Sequence, residues 1–148
     1  MDSRIDTYNH IQTVQTLLSN VLTDLTDRLL KHDQSKLCSP EVETFDEFTT
    51  RLAASTYGSA EYKGFLAGMK PALDHHYAAN SHHPEHYPNG IKGMSLMDLT
   101  EMLCDWKAAT LRHNDGNIWQ SVEINQKRFG YSDELKTILL NTLAALDF

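Results

Sequence analysis

A chain of 148 residues, 22% charged and 41% hydrophobic, has the balance of an ordinary globular protein and is long enough to bury roughly two-thirds of its unfolded surface. Its formal net charge of −7 argues against a general nucleic-acid binder, which gains affinity by setting basic groups against phosphates. Cys38 and Cys104 show no CxxC spacing, MDSRIDTYNH lacks the basic start and apolar run of a signal peptide, and no stretch nears ~20 apolar residues. The expectation is a cytoplasmic protein without zinc ribbon, disulfide framework or membrane partner.

From Ile5 to Leu30 the apolar residues Ile5, Ile11, Val14, Leu17, Leu18, Val21, Leu22, Leu25 and Leu29 recur at three- and four-residue steps, which predicts an amphipathic helix. His10 falls on its inward stripe, four residues before Val14. A second helix is expected over 40–54, because proline suits the first helical position and Glu41 and Glu43 favour the positive end of the helix dipole. Gly58-Ser59 reads as a turn, and 60–77 has helical spacing through Phe65, Leu66, Met69 and Leu73, with Pro71 set to kink or interrupt it. Residues 80–93 carry Pro84, Pro88, Asn89-Gly90 and Gly93, which is loop chemistry. Ser95 caps a helix predicted to run to about His113, with Leu96, Leu99, Met102, Leu103 and Trp106 as its buried stripe and Asp115-Gly116 as its end. Helices over about 118–128 and 133–146 follow, the latter opened by Ser132-Asp-Glu-Leu. The fold class expected is all-α, a compact helical bundle of about six helices forming one domain over 1–148.

Seven of the eight histidines lie at three places, His10, His32 and the stretch His75 to His86, which alone holds five. Imidazole at that density suggests proton or metal chemistry. In Lys31-His32-Asp33-Gln34-Ser35-Lys36 an adjacent His and Asp offer a neutral nitrogen and a hard anionic oxygen to one divalent ion, with Lys36 four residues on as a point charge for a phosphate oxygen. Taken alone, an isolated His-Asp pair is commonly a solvated helix end, and a lone inward histidine is commonly a satisfied core residue. The stretch His75-His76-Tyr-Ala-Ala-Asn-Ser-His82-His83-Pro-Glu85-His86 is too rich in donors for core packing. Two of its histidines can complete a second metal site, or hold substrate phosphate and serve as acid; spacing leaves open which turn inward. On the helix after Ser95, Asp98, Glu101, Asp105 and Arg112 share one side. Such stripes are commonly exposed, but Asp105, flanked by Cys104 and Trp106, is expected to be buried and so to need a cation or strong hydrogen bonds.

A His on one helix, a following His-Asp, further histidines and a later Asp resemble the HD superfamily of metal-dependent phosphohydrolases. The resemblance implies an HD-domain-like fold and a metal held by His10, His32, Asp33 and Asp105. The stretch HDQSK is similar to the HDxGK of the HD-GYP branch, whose lysine contacts phosphate, with Ser35 in place of the glycine. That branch's double histidine corresponds to His75 and His76, which the resemblance adds as metal ligands, and HYPNGIKG looks like its GYP loop. Its additional histidine is missing, since none occurs from Cys38 to Asp74, so a cyclic dinucleotide is not implied. Over nearly the whole chain the sequence is more similar to a group of small HD-like proteins, many phage-encoded, that share HDxSK, HHxxNxHHPE and EMxCDW; for a phage protein the compartment becomes the host cytoplasm.

The activity these resemblances imply is hydrolysis of a phosphomonoester or phosphoanhydride in a small phosphorylated substrate, a nucleotide being expected. One or two divalent ions would serve, with Mn, Fe, Co and Zn all suited to mixed imidazole and carboxylate ligation. Asp33, Lys36, His76, His82 and His83 are the expected catalytic residues, and oligomerisation is compatible with the sequence. Two rival activities use the same residues: a di-iron oxygenase, and a non-catalytic protein that sequesters a nucleotide.

Overall fold

The computed structural model describes residues 3–54, 60–112 and 116–147. Among them there is no strand, and the chain is all-α, with seven α-helices: α1 (Ser3–Lys31), α2 (Glu41–Ala54), α3 (Ala60–Gly68), α4 (Lys70–Ala79), α5 (Leu96–Thr110), α6 (Ile118–Phe129) and α7 (Asp133–Ala145). Tight 3-10 turns at Gln34–Leu37, Pro84–His86 and Gly90–Gly93 join them. The turn at Gly58-Ser59, the helix end at His113 and Asp115 lie outside the described residues. By its contacts the chain divides into two units, Met1–His32 and Asp33–Phe148. Sequence alone drew no boundary at His32.

The first unit is α1, the long helix its periodicity predicts. Within the unit the stripe of Ile11, Val14, Leu18, Val21 and Leu25 has no second element to pack against. Its Ser and Thr hydroxyls bond back to carbonyls four residues earlier, as Thr13 does to Asn9 and Thr23 to Ser19. Arg28 pairs with Asp24 at 2.6 Å near the C-terminal end, where the dipole favours cations.

In the second unit Asp33 adopts a left-handed conformation (φ 55°, ψ 14°), which the short polar Asp tolerates better than most residues, and so leads directly into the turn 34–37. Helix α2 begins at Glu41, directly after Pro40. The predicted 60–77 segment is interrupted as Pro71 requires: α3 ends at Gly68, and α4 starts at Lys70 with the proline in its first turn, where no N–H is needed. Helix α2 packs on α4 and on the turn 34–37.

The apolar core lies among α5, α6 and α7, where Leu103, Ile118, Val122, Tyr131, Leu139 and Leu143 form one buried cluster. The Tyr131 hydroxyl donates to the Val122 carbonyl at 2.6 Å, so its polar end is satisfied, and Trp106 stacks on Phe129 at the edge. Side-chain caps start these helices: Asn117 Oδ1 accepts from Trp119 N, and Ser132 Oγ from Leu135 N. Gly130, at φ 65°, turns the chain between α6 and α7 in the left-handed region that glycine enters freely.

Ser95 caps α5 as its sequence predicts, and Asp98 completes a reciprocal capping box. The expected stripe needs one correction, because Leu96 is 73% exposed while Met102 and Leu103 are buried. In the first turn the inward side belongs to Asp98, and Leu96 lies about 200° from it around the helix. Among the described residues no helix is long and apolar enough to cross a membrane.

Candidate metal centre

Four side chains of the second unit converge. Asp33, His76, His82 and His83 each offer one ligand atom, all within 4.8 Å of one another. Asp33 comes from the entry to the turn 34–37, His76 from the last turn of α4, and His82 and His83 from the loop between α4 and the turn Pro84–His86. His76 and His82 are both buried.

Asp33 Oδ1 stands 3.3 Å from His76 Nε2 and 3.5 Å from His82 Nε2, and His76 Nε2 lies 2.9 Å from His83 Nε2. Bonds of about 2.1 Å to a tetrahedral ion would put neighbouring ligand atoms about 3.4 Å apart. The spacing and the donor set, three imidazole nitrogens and one carboxylate oxygen, therefore fit a borderline divalent cation.

The far sides of the rings are held by carboxylates. Glu41 Oε2 accepts from His76 Nδ1 at 2.9 Å, and Glu101 Oε1 stands 3.1 Å from His82 Nδ1. An ionised carboxylate is acceptor-only, so each Nδ1 is the donor to it, and each ring is thereby turned with Nε2 toward the centre. Burial alone would push the Glu41 carboxyl up; hydrogen bonds from His75 and Ser35 and the neighbouring His76 imidazole outweigh it and leave the group below its ordinary value. Burial, with the His82 and His76 imidazoles beside it, drives His83 down to about 3. At neutral pH His83 is an uncharged donor of electrons, a metal ligand's state rather than a general acid's.

Lys36 Nζ donates to the other oxygen of Asp33 at 2.6 Å and lies 5.5 Å from the centre of the Phe45 ring. Ser35, which stands where the similar motif has glycine, donates to Glu41 Oε2 and accepts from Asn80 Nδ2.

The loop that carries His82 and His83 is fastened to α5. Asp98 accepts from Ser81 Oγ at 2.7 Å, Tyr87 OH at 2.9 Å, and Ser95 N and Oγ at 2.7 Å each. Burial alone would raise its pKa, but the bonds from Ser81, Ser95 and Tyr87 hold it well below the usual carboxylate range.

Of the residues expected to bind metal or act in catalysis, the second unit thus gathers Asp33, His76, His82 and His83, with Lys36 on Asp33. Asp105, half-buried on α5, brings a carboxylate oxygen within 4.8 Å of one from Asp33. His75 is not in the group of four; its Nδ1 meets Glu41 Oε1 at 2.7 Å and its side chain is 47% exposed. His10, on α1, and His32, one residue past its end, belong to the first unit. Sequence reasoning missed Glu41 and Glu101 as partners of the imidazoles. A signal for Glu41 existed: it lies four and seven residues before Phe45 and Phe48, on the face of α2 that is turned inward.

No curated protein and no solved structure matches this chain. A family model does, over residues 1–145, and its description is a family of unknown function, DUF5662. The chain belongs to that family.

Proposed function

We propose that this chain is a metal-dependent phosphohydrolase acting on a phosphomonoester or phosphoanhydride bond of a small nucleotide substrate. The observation that carries the reading is the meeting of Asp33, His76, His82 and His83 within 4.8 Å, with two of the rings oriented by carboxylates behind them. A divalent ion held there would polarise a phosphoryl oxygen and lower the pKa of bound water to about 7.

The chain's own groups divide the remaining work. Asp33 turns one oxygen to the imidazoles and is held through the other by Lys36, so a hydrogen-bond acceptor and a cation stand side by side. The Lys36 ammonium offsets charge on a phosphoryl group as a point charge, without the planar fork an arginine would impose. His83, with its pKa held down at about 3, is uncharged at neutral pH and sets Nε2 at the same centre, 2.9 Å from His76 Nε2, and water supplies the proton to the leaving oxygen. The net charge of −7 makes a local cation the natural attractor for an anionic substrate.

The test is elemental analysis of the purified protein, followed by a nucleotide panel read for released phosphate. One or two equivalents of Mn, Fe, Co or Zn are expected, with turnover that chelation abolishes and added metal restores. Asp33→Ala should lose both metal and turnover, and Asp33→Asn, better suited to the left-handed backbone, should keep the fold while losing them. Metal content and activity unchanged in Asp33→Ala would overturn the reading, as would bound iron that consumes oxygen without releasing phosphate.

A further inference from the structure

We propose that Glu41 is the positioning residue for His76, and that it sorts the double histidine into one inward donor, His76, and one outer partner, His75. The inference rests on the metal-centre reading above and says which of its side chains act directly.

Glu41 has no exposed surface, and a carboxylate taken wholly out of water must be compensated. Its compensation is specific: Oε1 takes His75 Nδ1 at 2.7 Å, and Oε2 takes His76 Nδ1 at 2.9 Å and Ser35 Oγ at 3.1 Å. Both rings therefore present Nδ1 to the same carboxylate. Successive helical residues point about 100° apart, so the rings at 75 and 76 leave α4 in different directions. His76 reaches it, with Nε2 at 3.3 Å from Asp33 and 2.9 Å from His83, while His75 stays nearly half exposed.

The rest of the network fixes the same choice. Asn80 Nδ2 donates to Ser35 Oγ at 2.9 Å and to the His76 carbonyl at 2.8 Å, tying the end of α4 to the turn that follows Asp33. Ser35 Oγ, which donates to Glu41 Oε2 at 3.1 Å, also lies 3.2 Å from His76 Nδ1, and Asn80 Nδ2 lies 3.1 Å from the same ring nitrogen. These groups hold the Nδ1 side of the His76 ring against Glu41 and so fix its orientation. A carboxylate that merely joined α2 to α4 would support the fold without altering the ion's surroundings; one that orients a ligand alters both affinity and ligand field.

The experiment takes the full-length protein freed of metal by chelation and titrates it with Co²⁺, reading the visible absorption bands of the bound ion and, by competition, the affinity for Zn²⁺. Four proteins are compared: wild type, Glu41→Gln, His75→Gln and His76→Ala. Glu41→Gln should bind about 10–100-fold more weakly, with shifted bands. His75→Gln should keep the stoichiometry and bands and bind within about threefold of wild type, while His76→Ala should lose the site. Glu41→Gln that binds like wild type with unchanged bands would overturn the inference, and so would His75→Gln that loses metal as His76→Ala does. If Glu41→Gln does not fold, Ser35→Ala replaces it: weaker binding with displaced bands supports the inference, and unchanged bands and affinity overturn it. Wild type that takes up no Co²⁺ defeats the metal centre itself, whereas wild type that binds Co²⁺ but hydrolyses nothing leaves Glu41's role standing.

Discussion

Replacing Asp98 tests whether the histidine loop is held to α5 by one buried charge. Asp98 is 3% exposed and accepts four hydrogen bonds, from Ser81 Oγ, Tyr87 OH, Ser95 N and Ser95 Oγ. Hydrogen bonds to a charged group contribute about 1.5–3 kcal/mol each, and four on one carboxylate do not add in full. Asp98→Ala leaves buried donors without their acceptor and should cost about 3–5 kcal/mol, the scale of breaking a buried charge network. Asp98→Asn keeps the shape and one acceptor oxygen and should cost about 1–3 kcal/mol. The pH dependence has a definite sign. Because the folded-state pKa lies below the ordinary 3.8, the stabilisation is complete above that value and is lost as pH falls through the folded pKa. Urea unfolding followed by circular dichroism at pH 7, 5 and 3.5 should therefore give a gap between wild type and Asp98→Asn that is constant from pH 7 to 5 and narrows below about pH 4. A gap under about 0.5 kcal/mol at pH 7, the size of an ordinary surface substitution, would refute the reasoning, as would a gap that widens with acid.

In metal-free protein, His83 with its pKa near 3 against an ordinary 6.5 leaves stability complete above pH 6.5 and lost as pH falls toward 3. His83→Gln should flatten that fall by up to about 1.4 kcal/mol per pH unit in urea titrations between pH 7.5 and 5, and an identical pH profile would contradict it. Leu143, wholly buried in the cluster of α5, α6 and α7, should cost about 2–5 kcal/mol as Leu143→Ala, read from the urea midpoint at unchanged slope. Glu101→Gln should weaken Co²⁺ binding about 10–100-fold by releasing His82 Nδ1, with little change in metal-free stability; unaltered affinity would remove Glu101 from the centre.

Helical periodicity and start signals carried most of the fold. The helix over Ile5 to Leu29, the interruption at Pro71 and the caps Ser95 and Ser132 are local physics, and they form as their sequences indicate. Leu96 was misread because periodicity weighs a residue by type and not by what competes for the same face; Asp98, fastened to Ser81 and Tyr87 from a distant loop, takes the inward side of that turn. The histidines were legible as a group through their density, but their sorting was not. Which of His75 and His76 turns inward depends on Glu41, 34 and 35 residues away in sequence. Glu41 in turn looked sufficiently explained by the helix dipole at the start of α2. A residue with one adequate local reason gives no sign of a second, long-range one unless its place on the helix face is compared with its neighbours'.

The acidic stripe of α5 makes the same point in terms of charge. Exposed, Asp98, Glu101 and Asp105 would be unremarkable, but Asp98 is buried, and Glu101 and Asp105 are half-buried beside His82 and Asp33. With Glu41 and Asp33 added, the second unit draws five carboxylates wholly or partly out of water. Hydrogen bonds from Ser81, Tyr87 and Ser95 settle Asp98, and those from His75, His76 and Ser35 settle Glu41. At Asp33, Lys36 meets one carboxylate oxygen at 2.6 Å, and the other faces His76 Nε2 at 3.3 Å and His82 Nε2 at 3.5 Å. Three imidazoles and a carboxylate oxygen gathered at one point are a donor set that could hold a small divalent cation, and the same carboxylates that would be unremarkable on a solvated helix face are what bring it together.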